Sequence, residues 1–164
     1  MKTGNPNHGQ GQNPSPFSLS ATLGDQGLLH VVLEAVQTVD WSLARPPAEQ
    51  DGRFRPQMML TLLAFCYASG LYGSRDIEWA TRIDRTIRYI CAHQFPDWLA
   101  IRRFRRQNRH LLKQCLTLIL ERTSASASKL NQGQGDSFGH PGLETTAQDK
   151  IDLAIIMDRA ESEG

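Results

Sequence analysis

Sixteen consecutive residues, Met58–Gly73, carry no charge and are largely apolar. A run of that kind has to be buried. It is shorter than the roughly 20 residues needed to cross a bilayer, so it reads as a helix inside a globular domain. Pro56 can open this helix, because the amide that proline lacks would be unpaired in a first turn anyway. The helix predicted over 56–69 is apolar almost all round (Met58, Met59, Leu60, Leu62, Leu63, Phe65, Cys66) and should be the central element, ended by Gly70.

Other helices are expected to pack around it. Asp25 is a suitable N-cap for Leu28, Leu29, Val32, Leu33, Val36 and Val39, which recur at helical spacing. That helix should end near Asp40, and residues 45–55, opened by Arg45-Pro46-Pro47, read as a loop. Ser74 is placed to cap a third helix, with Asp76 and Glu78 in its first turn where the dipole favours anions. Asp84 is placed to cap a fourth, with Ile87, Ile90 and Cys91 inward. After the turn Gln94-Phe95-Pro96-Asp97, a fifth helix spans about 98–122. No run of β-branched residues exceeds three, so the expected fold is all-α: a small bundle of about five helices over 25–122. Residues 1–24, rich in Gly, Asn, Pro, Gln and Ser, read as a disordered tail. Residues 123–145, with a Ser/Ala alternation and a Gly-rich stretch, read as a linker. Residues 146–164 read as a short amphipathic helix or tail, opened by a capping box at Thr146–Asp149.

Net charge is only +1, but it is unevenly distributed. Residues 53–122 hold 13 Lys/Arg against 5 Asp/Glu, a net of +8, while residues 1–52 and 123–164 carry −3 and −4. A basic centre between acidic ends fits a polyanion-binding surface. On a wheel of about 100° per residue, Ile101, Phe104, Leu111, Leu112, Cys115, Leu118 and Ile119 gather on one side of the fifth helix. Arg102, Arg105, Arg106, Arg109 and Lys113 gather nearly opposite, five cations over roughly 16 Å of axis. The planar fork of arginine suits bidentate contact with phosphate or guanine edges. The helices at 85–93 and 98–122 have the outline of a helix-turn-helix, with the later one as recognition element. Expected DNA contacts are Arg102, Arg103, Arg105, Arg106, Arg109 and Lys113, with Arg75, Arg82, Arg85 and Arg88 holding the backbone. A solvated charged face is the alternative meaning of the same pattern.

A series of short blocks adds to this. They are Phe54-x-Pro56, Leu60-x-Leu62-Leu63, Tyr67-Ala68-Ser69-Gly70, Ser74-Arg75-x-Ile77-Glu78, Arg88-Tyr89-Ile90-Cys91-Ala92, Pro96-Asp97 and Ile101-x-x-Phe104-Arg105. In order and spacing they resemble the N-terminal domain of InsH-like bacterial insertion-sequence transposases, tightly over about fifty residues. The resemblance implies a module that recognises terminal inverted repeats in DNA transposition. In that family a following ribonuclease-H-like domain carries the acidic triad that holds two metal ions. One departure is Ala100, where the family usually has a small hydroxyl residue. Asp149, Asp152 and Asp158 fall on one predicted helix and cannot converge from separate strands as a two-metal site requires. The expectation is therefore a truncated transposase without its catalytic domain: not an enzyme, and with no catalytic residues and no cofactor.

Cys66, Cys91 and Cys115 sit in apolar segments and read as buried, reduced thiols of a cytoplasmic protein. Cys91-x-His93 and His110 with Cys115 match no common zinc spacing, so no metal site is expected. No Walker loop, nucleophile elbow or dinucleotide fingerprint occurs. The expected partner is double-stranded DNA at transposon ends, with a homodimer or a separately encoded catalytic half as further partners and no membrane association. The competing reading is a helical dimerisation or interaction module that uses the apolar residues of 28–39 or 151–157.

Overall fold

The computed structural model describes residues 19–44, 53–130 and 142–163, and all of its regular elements are helical. In chain order these are α1 (Ser20–Thr38), a 3-10 turn (Trp41–Leu43), α2 (Pro56–Ser69), α3 (Ser74–Ile83), α4 (Arg85–Ile90), α5 (Trp98–Gln107), α6 (Arg109–Leu130) and α7 (Gly142–Glu163). No strand forms among the described residues. No helix there is long and apolar enough to cross a membrane. Of the expected tail at 1–24 and loop at 45–55, residues 1–18 and 45–52 lie outside the described residues, as does 131–141 of the expected linker, whereas Ser20–Gly24 of the expected tail fall within α1.

The centre is α2, as its sequence requires. Ten successive residues, Met59–Ala68, are buried, and α1, α4, α5 and α6 pack around it. Each buried Leu or Phe contributes about 1.5–3 kcal/mol relative to an exposed one, so this helix anchors the bundle. It ends where predicted. Gly70 adopts a left-handed conformation (φ 88°), and the N–H groups of Gly70 and Leu71 return to the carbonyls of Tyr67 and Cys66. Ahead of α2, Leu28, Leu29, Val32 and Val36 of α1 and its C-cap Val39 are buried in the same core. Gly24 (φ 69°, ψ 162°) interrupts α1 one residue before the expected start at Asp25, so an extra turn precedes the regular helix. The Leu19 N–H ties that turn to the Ala68 carbonyl at 2.9 Å.

Three features differ from the sequence reading. The helix expected over 98–122 bends at Asn108 (φ −116°, ψ 29°), which makes α5 and α6 separate elements. Residues 123–130 continue α6, since alanine is the best helix former and the Thr123 hydroxyl bonds back to the Leu120 carbonyl. Thr146 does not cap: α7 starts at Gly142, and the Thr146 hydroxyl donates to the Gly142 carbonyl from inside the helix. The C-terminal helix is a full member of the bundle, lying along α6 with Ala147, Ile151 and Ala154 fully buried.

Candidate nucleic-acid interface

Asp158, on α7, organises the most polar part of the interior. Its carboxylate accepts the Ser74 backbone N–H and the Ser74 hydroxyl, both at 2.9 Å. It also accepts Arg105 Nη2, while Arg102 Nε lies 3.1 Å away. Ser74 is the first residue of α3, so a carboxylate from another helix caps α3 and the Ser74 hydroxyl does not. Arg105 is only 6% exposed and also donates Nη1 to the Tyr67 hydroxyl at 3.0 Å. Burial alone would raise the Asp158 carboxyl; the bonds from Arg105 and Ser74 hold it below its ordinary value. Burial dominates at Tyr67, whose hydroxyl is pushed up to about 12.

The rest of the cationic row meets the same helix. Arg102 donates to the Asp158 carbonyl at 2.8 Å and pairs with Glu161 at 3.5 Å. Arg109 pairs with Asp152, and Lys113 lies 3.6 Å from Glu144. Acids at 144, 152 and 158 thus match cations at 113, 109 and 102/105 along antiparallel helices. Of the residues expected to contact DNA, Arg102 and Arg105 are largely buried beneath α7 and paired with Asp158. Arg109 and Lys113 are engaged at its edge. Arg103 is half-buried, and Arg106 is exposed.

On α3 and α4 the picture reverses. Arg75, Arg82, Arg85 and Arg88 are all exposed. Trp79 and Tyr89, 63% and 74% exposed, stand among them. Acids on these two helices are largely committed. Asp84 caps α4 by accepting the Ile87 N–H at 2.8 Å, as its sequence position suggested. Glu78 pairs with Arg82 at 3.6 Å and accepts the Trp98 N–H at 3.2 Å; Asp76 alone is exposed. Arg82 lies over the Phe95 ring at 5.7 Å and Arg75 over Trp98 at 5.3 Å.

The connection from α4 to α5, residues 91–97, holds Ala92 (φ 48°) and His93 (φ 60°) in the left-handed region, which non-glycine residues seldom enter. It leads to Asp97, whose carboxylate accepts the Ala100 N–H at 2.7 Å. The missing hydroxyl at position 100 therefore leaves α5 capped. Beside the bundle's seam, Arg102, Arg105, Arg106, Arg109 and Arg159 line an open cleft of about 420 Å³ between α5 and α7.

Cys66, Cys91 and Cys115 are buried and none is in a disulfide. Burial pushes the thiols of Cys91 and Cys115 up to about 12 and raises Cys66 well above its ordinary value. The network missed by the sequence reading is Tyr67, Ser74 and Asp158 around Arg105. Its signal was the acidic spacing of residues 144–158, which complements the row at 102–113. Comparison with protein-family models, with curated proteins and with solved structures finds no match to this chain.

Proposed function

We propose that this chain is a DNA-binding module, of the kind that recognises the terminal inverted repeats of an insertion sequence, and that it acts by binding, without catalysis. One observation carries the reading. The outer sides of α3 and α4 present Arg75, Arg82, Arg85 and Arg88 with Trp79 and Tyr89 among them, against a single exposed acid. Cations at this density neutralise phosphates and release counterions, while exposed rings pack on sugars and bases. In this arrangement Arg102 and Arg105 position α5 from within, and backbone contact falls to α3 and α4. Asp152 and Asp158 of α7 are taken up in pairs with arginines, which supports a structural role for these two carboxylates.

A gel shift with duplex DNA over a salt series tests this. Affinity should fall by about 0.9 log unit per log unit of salt for each phosphate neutralised. Arg85→Ala with Arg88→Ala should flatten that slope by about two such contacts while helix content stays constant. Absence of a complex at low salt sinks the proposal.

A second reading, an interaction module, rests on Leu153, Ile156 and Met157, which lie exposed along the outer side of α7. Sedimentation at increasing concentration, with Ile156→Glu as control, would register self-association through that stripe.

A further inference from the structure

We infer that the cleft between α5 and α7 is a binding site for a compact phosphate-bearing anion, of the size range from pyrophosphate to a nucleoside triphosphate. This goes beyond the DNA-binding reading and does not rest on it. Its volume of about 420 Å³ falls within the roughly 300–1,000 Å³ typical of small-ligand sites. Five guanidinium groups line it, and Asp158 is the one carboxylate among the lining residues. Pairing inside the protein uses up only some of that charge. Arg102 and Arg105 are committed to Asp158, and Arg109 to Asp152. Arg106 and Arg159 have no ion-pair partner among the described residues, and both are exposed at the cleft.

Arg159 is the anomaly that points to a ligand. Elsewhere α7 meets the cationic row with acids: Glu144 at Lys113, Asp152 at Arg109, and Asp158 with Glu161 at Arg102. At 159 it brings a further cation to a cleft already lined by four. Like charges gathered in one concavity repel, and the field between them concentrates anions there. A phosphate group offers oxygens to several arginine forks at once, and the planar guanidinium matches it bidentately. Because one unpaired arginine comes from α5 and the other from α7, a bound phosphate would bridge the two helices. Ligand binding should therefore also stabilise the docked state of α7.

Calorimetric titration of the full chain with pyrophosphate, at constant ionic strength, provides the test. One molecule should bind per chain, and the thermal midpoint should rise with pyrophosphate concentration. Arg106→Ala and Arg159→Ala, both at exposed positions, should each weaken binding at least about tenfold and remove the midpoint shift. Arg85→Ala, in the proposed DNA surface, should leave pyrophosphate binding unchanged. Absence of heat and of a midpoint shift overturns the inference, as does binding that both cleft variants retain. If only duplex DNA responds to Arg106 and Arg159, the cleft belongs to the DNA surface and a separate small-anion site is refuted. Loss of DNA binding in the Arg85 and Arg88 variants bears on the functional proposal alone.

Discussion

Removing the Asp158 carboxylate would leave Arg105, with Tyr67 and Ser74 around it, holding a charge in the interior with no counter-ion. Breaking a buried pair by deleting one partner costs about 3–5 kcal/mol, far more than the pair itself need contribute. Asp158→Ala should therefore lose stability on that scale in urea unfolding. A loss under about 1 kcal/mol would mean that Arg105 swings out to water. The same group sets an acid limit. Its folded value lies below the ordinary 3.8, so the charged form stabilises the fold at neutral pH. That contribution should fade as pH falls below 3.8 and through the folded value, and the parent should converge on Asp158→Asn there. Lys150 works with the opposite sign. Burial lowers its ammonium, so the proton it carries at neutral pH costs stability, partly offset by bonds to the Tyr67 carbonyl and Tyr72 hydroxyl at 3.3 and 3.1 Å.

Helix by helix, what could be read from the sequence was local. Gly70 ends α2 and Asp84 starts α4 because caps act within a few residues of themselves. The all-round apolar composition of α2 and the stripe of α1 fixed which surfaces face inward. What could not be read was mutual. A helical wheel gives the direction of Arg102 and Arg105 but says nothing of what lies in that direction, and α7 arrives there from more than fifty residues away. Alternating Ser and Ala in 123–130 likewise suits a linker or a helix equally well, and the helix already running through Leu120 decided it. Ile151→Ala tests the standing of α7. As a full core position it should cost about 2–5 kcal/mol and shift the single unfolding transition of the whole chain. An unchanged midpoint would demote α7 to a loosely attached tail.

For the molecule as a whole, the three cysteines report on cooperativity. All are buried with raised thiols, so none should react with a thiol reagent at pH 8 until the bundle opens. Labelling across a urea gradient should follow the loss of helix, and one thiol reacting early would reveal local opening near it. The near-neutral total charge also acquires a structural meaning. The acidic segment 123–164, with a net −4, offsets half of the +8 of the basic centre, through pairs at Lys113, Arg109, Arg105 and Arg102. The bond from Ser74 to Asp158 joins residues 84 positions apart. During translation, therefore, the arginines of α5 leave the ribosome long before their carboxylate has been made. Until then the nascent chain is a basic fragment whose α3 lacks its cap, and closure of this network awaits the synthesis of α7.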